Sequence, residues 1–570
     1  MTLGEKTTEQ SMRLQRHAAV SAWAIRFFWC IVGASLVAGI FFRTAHIRHR
    51  LFWEDESFAA LYVSGYRGAD FSRMFDGRIH TIAQINKFQQ VLDPSRTAID
   101  TIKSIAAEDP RHAPLFYILD HFWAKFGGSS IPALRSLAFV FSLTAILATY
   151  WLCIELGGGP LAAAAAASIM AVSPIFVNYG AQTREYSLWA TLIGVTSSQL
   201  LRVSRSPSKE GWIIYAAAMV VSLYAEVLMV CVLASHAVFI MMRRPADRKN
   251  IVAFAFSGVA ALVLFLPWLV TCARILVGTE KLWARNYYPF HLILEKWVFN
   301  LGAILFDAEY ANLLLTPVAG AMLLLLIYSV VRLLRDESAN VIWFLSTLAV
   351  GVALPQFLID IATHGHASAI PRYEFPLWVA LAAGLGLFFG RRIADDKKHA
   401  GLAWSLVFGA TLTIAALSSA ISSAAISWWD NDDEYPSSTM AAYINESGPS
   451  PLIVAERLRL ELGVDWQLLV MSHYLAPATR LLLFTGEPPP LPLSRSSNTF
   501  LLMPSRATLA AFETNPNVEL TPVWTYSLAS SMLQGYRRSL REAQGRRSSR
   551  DVAFLYRVYR RRGNPTGRLP

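Results

Sequence analysis

Three carboxylates stand side by side in "LFWEDESFAA": Glu54, Asp55 and Glu56. Further along, polar residues recur in tight groups between apolar runs: Pro110, Arg111, His112 and Pro114; Asn178, Gln182, Arg184, Glu185 and Tyr186; Tyr224 and Glu226; Lys281, Trp283 and Arg285; then His364, His366, Arg372 and Tyr373. Between them these side chains can take a proton, hold an anion and stack on or hydrogen-bond a hydroxylated ligand. Each also has a plainer use. Acids at a helix start answer the helix dipole, arginine snorkels to a membrane interface, and tyrosine settles there in any membrane protein.

The elements that must position these groups are helices in a bilayer. Of 570 residues, 54% are hydrophobic and 16% charged, with a mean hydropathy of +0.38, far from a soluble balance. About 20 apolar residues cross the hydrocarbon core, and the pattern predicts spans near 20–42, 131–155, 160–180, 184–202, 251–273, 311–334, 341–361, 371–390 and 401–424. The stretch 212–242 is too long for one span and reads as two short helices turning near Tyr224, Ala225 and Glu226, because a carboxylate at the midplane is costly. That makes eleven.

Short loops rich in Lys and Arg mark the cytoplasm. "RVSRSPSK", "RRPADRK", "RLLRD" and "RRIADDKKH" all fall on one side of an eleven-span chain. The expectation is a multi-pass protein of the cytoplasmic membrane with a cytoplasmic N-terminus (1–19), a helical domain (20–424) that includes a first outside loop (43–130) carrying surface helices, and a soluble extracytoplasmic domain (425–570). "RTAHIRHR" (43–50) and a tail with eleven arginines from Tyr536 onward sit on the wrong side for the rule, but long outside segments influence orientation little. The apolar stretch after residue 19 lacks a small-residue cleavage site and reads as a retained helix.

"ESFAALYVSGYRG" and "HAPLFYILDHFWAKFGG" place apolar residues at helical spacing and end in Gly, the pattern of helices lying along a membrane surface; the second can also be read as a short span. From residue 425 the character changes. "PLIVAERLRLELG", "TRLLLFTG", "NTFLLMPS" and "DVAFLYRVYRR" are short apolar or alternating runs between turns, predicting a small α/β or α+β domain. The net charge of +11 suits anionic membrane lipids, and no nucleic-acid motif accompanies it. Cys30, Cys153, Cys231 and Cys272 show neither a disulfide framework nor paired metal spacing, and His364 with His366 lacks a third ligand. No metal or other cofactor is indicated.

The order of the polar groups resembles the lipid-linked-sugar glycosyltransferases of the GT-C type, in particular the bacterial branch related to aminoarabinose transferases and protein O-mannosyltransferases (family 39). In that branch a tryptophan precedes Asp-Glu in the first outside loop, as in "WEDE" here (Trp53 to Glu56). A His-Pro-Pro-Leu-Tyr-Tyr segment is matched by "HAPLFYILDHFWAKFGGSSIPALRS" from His112. Ser-Pro followed by Gln-Glu-Ala-Arg-x-Tyr-Ala-Leu is matched by "SPIFVNYGAQTREYSLWATL" from Ser173. Fainter echoes are "LYAEVLMV", "LPWLV" (266–270) and "PRYEFPLWVALAAGLG" (371–386).

The resemblance implies a polytopic α-helical GT-C-like fold and an inverting transfer of sugar from a polyprenyl-phosphate donor to an envelope acceptor, whether lipid A, saccharide or protein, on the outer membrane face. It gives Asp55 the role of general base, with Glu56 beside it, and places His112, Arg372 and Arg184 toward the donor phosphate. Tyr186, Tyr224, Glu226 and Tyr373 fall at substrate-binding positions. There are departures. The family's second glutamate aligns with Gln182, so either Glu185 substitutes for it or Gln182 only hydrogen-bonds; Ala113 replaces a proline; and Glu226 stands where histidine is common, either holding a ligand or capping its turn. Two other classes compete: a lipid or polysaccharide transporter, and a membrane-anchored binding module whose function resides in 425–570. Paired halves or Gly/Pro-interrupted spans would mark the former, and neither is clear here.

Overall fold

The computed structural model describes residues 3–91, 93–243, 247–276, 290–307, 315–395, 400–426, 435–457, 464–491, 498–527 and 551–560. Lys281, Trp283 and Arg285 lie outside these, as do most of the tail arginines. The chain forms two compact units. One comprises 1–50, 109–116 and 135–425; the other 51–108, 117–134 and 426–570.

All eleven expected spans are helical: α1 (Leu3–Thr44), α2 (Ile131–Glu155), α3 (Gly159–Val172), α4 (Tyr186–Arg205), α5 (Lys209–Ala225), α6 (Met229–Met242), α7 (Arg248–Leu276), α8 (Thr316–Asp336), α9 (Ala339–Thr363), α10 (Phe375–Ile393) and α11 (Ala400–Ala424). Seven of them, α1, α2 and α7 to α11, are long and apolar enough to cross a membrane by length and composition, making this a multi-pass membrane protein. The other four fall short of the eleven-span expectation for visible reasons. α3 and α6 have only 14 residues and α5 has 17. α4 has 20 residues but carries many hydroxyls, which it satisfies internally: Thr196 Oγ1 donates to Leu192 O at 2.7 Å, Ser198 Oγ to Gly194 O at 2.6 Å and Ser204 Oγ to Leu200 O at 2.6 Å. Such back-bonding lets a polar helix lie buried.

The expected span 160–180 is broken. Ser173 is extended (φ −66°, ψ 127°) and ends α3, after which Pro174–Tyr179 forms a separate short helix. The cause is local, since a residue preceding proline is driven out of the helical region. The expected turn in 212–242 falls where the sequence places it, with α5 ending at Ala225 and Glu226 extended.

α3, "GPLAAAAAASIMAV", is buried from Ala162 to Val172. Its small side chains let α10 approach backbone to backbone: a Cβ on Gly386 would lie 2.6 Å from Ala162 O, and one on Gly390 2.5 Å from Ala162 Cα. Glycines four apart against a small-residue face give the close packing that holds helices together in lipid.

The carbonyls at the end of α3 are met by side chains. Arg43 Nη1 donates to Ala171 O at 2.5 Å, Arg43 Nη2 to Met170 O at 3.1 Å and Ser419 Oγ of α11 to Val172 O at 2.7 Å. Arg50 donates to Asn178 O at 3.3 Å and to Ser422 O at 3.2 Å, and Arg135 to Ile47 O at 2.6 Å. Two arginines of "RTAHIRHR" therefore lie inside the protein, which explains why that segment departs from the loop-charge pattern.

The second unit centres on a six-stranded sheet of β1 (Arg78–Thr81), β2 (Leu452–Glu456), β3 (Arg480–Phe484), β4 (Thr499–Leu502), β5 (Val518–Ser527) and β6 (Asp551–Arg560) in the order β1-β3-β2-β4-β6-β5. β2 runs parallel to β3 and β4, and the other pairings are antiparallel. Central parallel strands are covered on both faces, and "LIVA" and "FLL" are buried throughout. On one face Val454, Leu482, Leu501 and Val558 pack with Leu509 and Phe512 of the helix Arg506–Thr514. The mixed α/β character matches the expectation for the C-terminal region, and the chain passes from one unit to the other between Ala425 and Ile426, but the second unit also takes in residues 51–108 and 117–134 of the first loop. β1 comes from the first loop, and Gln89 Nε2 donates to Leu469 O at 3.0 Å, so the first loop groups with the C-terminal residues rather than with the helical part. The segment "HAPLFYILDHFWAKF" is a 13-residue helix, Leu115–Gly127, too short to span; Phe122, Trp123 and Phe126 on it are exposed.

Gly390→Val places a branched side chain against the Ala162 backbone, where nothing flexible can give way. The expected outcome is loss of more than about 3 kcal/mol, beyond ordinary overpacking, read as a collapse of monodisperse protein in detergent, whereas Gly320→Ala, with nothing within 4 Å of the added Cβ, should behave as the parent.

Candidate functional site

In the first unit, four short connections at one end of the helices carry the polar groups singled out in the sequence. The turn before α4 exists because Pro174 ends α3 and the short helix closes at Gly180. It leaves Gln182, Thr183, Arg184 and Glu185 buried. The segment 109–112 is pinned to α7, where Trp268 Nε1 donates to Pro110 O at 3.0 Å and Cys272 Sγ to the same oxygen at 2.9 Å.

This pinning brings His112 to Glu185. Their Nδ1 and Oε1 are 2.8 Å apart, Arg184 Nη2 lies 3.0 Å from His112 Nε2 and 3.3 Å from Glu185 Oε1, and Asp109 Oδ2 lies 3.4 Å from His112 Nε2. The Glu185 and Arg184 side chains are 1% and 3% exposed, against 20% for His112. Two buried supports thus hold one more accessible imidazole.

The charges decide its state. Burial and the Arg184 guanidinium push His112 down, but Asp109 and Glu185 outweigh them and its pKa is raised. Burial pushes Glu185 up, yet Arg184 and His112 hold it below the usual carboxylate range. Glu226, between α5 and α6, is driven up by burial and then by Glu185; its Oε1 accepts from Leu228 N at 3.1 Å, capping the turn. Burial and a like charge nearby both disfavour the ionised form of a carboxyl. The arrangement favours the cationic, hydrogen-bond-donating form of His112, which suits an anion.

The tyrosines are packed. Tyr186 stacks on Phe375 at 5.9 Å and meets Tyr179 at 5.1 Å, and Tyr224 donates its hydroxyl to Leu264 O at 2.9 Å. Tyr373 lies under the Arg372 guanidinium at 5.4 Å. Gln182 is buried, and its Oε1 accepts no hydrogen bond among the described residues.

In the second unit, Glu54, Asp55 and Glu56 form the first turn of the helix Glu54–Val63, whose N-cap residue, Trp53, gives no side-chain cap. Carboxylates are stabilised there. Glu56 is fully buried and Asp55 only partly, which makes Asp55 the more accessible acid.

The roles of four residues escaped sequence reasoning. Asp109 and Cys272 had no motif around them; the Trp268 of "LPWLV" stood in one, but its tie to Pro110 crosses 158 positions. Glu374 sits between the noted Tyr373 and α10. It is 1% exposed, its oxygens accept no hydrogen bond among the described residues, and burial and then Asp360 push its carboxyl up to about 8. Among the described residues no group of three or more His, Cys, Asp or Glu side chains is placed to hold a metal ion.

The sign of the pH dependence follows from these shifts. The raised His112 pKa gives a contribution that is full below the ordinary histidine range and lost as pH rises through the folded value; the depressed Glu185 value gives one lost only as pH falls through it. Glu185→Gln leaves His112 facing Arg184 with Asp109 alone as counter-charge. Its titration, followed by NMR of histidine-labelled protein, is expected to move to lower pH, and the parent's titration should lie above that of a surface histidine.

No protein-family profile matches the chain, and no curated protein does. Among solved structures, it is similar to the Archaeoglobus fulgidus oligosaccharyltransferase in its apo form, at 12% identity over 79% of this chain with a TM-score of 0.46; this chain covers 64% of that protein, less than two thirds of its length. It is also similar to ArnT from Cupriavidus metallidurans bound to undecaprenyl phosphate, at 12% identity over 90% of this chain and 96% of that one, TM-score 0.49. ArnT from the same organism in the apo state gives 14% identity over 80% and 86%, TM-score 0.34.

Proposed function

We propose that the protein is a membrane glycosyltransferase that takes a sugar from a polyprenyl-phosphate carrier and adds it, with inversion, to an envelope lipid, saccharide or protein at the outer face of the cytoplasmic membrane. The observation that carries this is the imidazole of His112 paired at 2.8 Å with buried Glu185 at the end of a helical bundle, where Asp109 and Glu185 raise its pKa. Cationic donors at that place suit a lipid phosphate, and the order of motifs from "WEDE" to "PRYEFP" supports the same chemistry.

The acceptor loses its O–H or N–H proton to Asp55 as it attacks the anomeric carbon. The bond from that carbon to the phosphate oxygen breaks, and the carrier leaves as its phosphate. Such a leaving group needs no proton, so no general acid is required. His112 and Arg372 answer the charge that grows on the departing oxygen, where fixed donors act most strongly. Arg184 and Glu185 set the state of His112 rather than touching the donor. No cofactor enters.

Purified protein supplied with a polyprenyl-phosphate sugar and envelope extract provides the assay, with mass spectrometry of the products. Asp55→Asn keeps shape but removes the base, and transfer should fall about 100- to 10,000-fold while donor binding stays within a few-fold. Near-normal turnover in Asp55→Asn with collapse in Glu56→Gln would move the base to Glu56. Absence of transfer from every lipid-linked sugar would reject the reading altogether.

A further inference from the structure

The middle of α10 lines a feature the transfer reaction does not use. α8, α9 and α10 enclose a groove of about 100 Å³ whose walls include Leu333, Leu345, Ser346, Ala349, Ala380 and Gly384. Apart from Ser346, the polar side chain in its wall is Ser329, whose hydroxyl donates to Leu325 O at 2.7 Å and so asks for no water. Gly384 opens the wall: a Cβ there would meet Leu333 and Leu345 only at 3.6 and 3.9 Å.

Arginines follow the groove-lining residues on α8 and α10. Arg332 and Arg392 share Asp336 at 3.0 and 2.8 Å, and Arg391 pairs with Glu337. Arg335, next to Leu334 of the groove wall, is exposed and makes no ion pair among the described residues. The two stretches "RLLRDE" and "RRIADDKK" hold six cations against four carboxylates, leaving positive charge. Trp404 and Tyr328 stack at 6.4 Å beside Arg392, as aromatics do at headgroup depth.

Depth selects the occupant. Eleven residues separate Ala380 from Arg391, about 17 Å of helix, close to half of a hydrocarbon core roughly 30 Å thick. The groove itself runs along α10 from Leu385 to Ala380, about 8 Å, so that a lipid whose headgroup sits at the arginines lays part of one acyl chain there, unlike a carrier many isoprene units long.

We propose that α8, α9 and α10 form a binding site for an anionic membrane phospholipid, with one acyl chain along Gly384 and the phosphate at Arg335. Basic pockets between membrane helices hold such headgroups. The site stands independently of the transferase reading.

The test uses the full chain in nanodiscs of equal phosphatidylglycerol and phosphatidylcholine, released in a native mass spectrometer. The parent should retain phosphatidylglycerol in preference. Arg335→Glu should reduce that preference by about fivefold or more, given the worth of one surface cation. Gly384→Leu should lose most of the retained lipid and Gly384→Ala should keep it. Equal retention of the two lipids by the parent overturns the proposal, and so does unchanged retention in a folded Gly384→Leu. Displacement of phosphatidylglycerol by added undecaprenyl phosphate would give the groove to a carrier and overturn it as well. Should Gly384→Leu not fold, the parent's selectivity and its change in Arg335→Glu still decide.

Discussion

A helix that stops inside a bundle leaves carbonyl oxygens without partners where no water can reach them, and the helical unit is arranged around one such ending. α3 ends at Val172, deep among its neighbours, with its last carbonyls taken by Arg43 and Ser419. A guanidinium suits this task, since its fork reaches two adjacent carbonyls while a third nitrogen bonds Ser142. Because α3 can end there, the chain can turn at Pro174 and deliver Arg184 and Glu185 to the same end as the loop bearing His112. The close contact of Gly386 and Gly390 with Ala162 then fixes α10, whose first residues are preceded by Arg372 and Glu374.

The polar cluster follows a rule of balance. Arg184 alone beside His112 would drive the imidazole neutral, and Glu185 alone in that burial would be driven to protonate. Together with Asp109 they stabilise one another's charged forms, while burial and Glu185 push up the carboxyl of Glu226, which caps a turn. A cation built this way is preorganised: its orientation is set by buried groups before any anion arrives, so little reorganisation is left for the binding step.

Much of this was legible in the residues. Each of the eleven apolar segments proved helical, one of them as two helices, the turn at Glu226 fell on its carboxylate, and the strands of the second unit sat on "LIVAE", "RLLLF" and "TFLL". What was hidden was hidden for physical reasons. Four helices lacked the length or apolarity of a span; two of them, α3 and α4, are largely buried among other helices, which relaxes both demands. The break at Ser173 was a one-residue event inside a run of suitable hydropathy. The pairing of His112 with Glu185 was partly visible, since both belonged to recognised motifs, but the bonds from Trp268 and Cys272 to Pro110 link segments with no shared local pattern. The arginines of "RTAHIRHR" read as loop charge because sequence gives no sign that a cation will find carbonyls instead of water.

The greatest distance lies in the sheet. β1 pairs with β3 across about 400 residues, and its four positions match Arg480 to Leu483 one to one. Neighbouring contacts repeat the tie: Phe52 N donates to Tyr474 Oη at 2.5 Å, Leu51 N to Ile426 O at 2.8 Å, and Gln89 Oε1 meets His473 Nε2 at 2.9 Å. The helix that begins with Glu54, Asp55 and Glu56 is therefore entered from a backbone segment anchored by the C-terminal residues. A binding module confined to 425–570 would lack its own edge strand and would leave β3 exposing a row of unpaired backbone groups. The sheet serves instead as the frame on which the first loop is built, and through that loop it bears on the place and angle of Asp55.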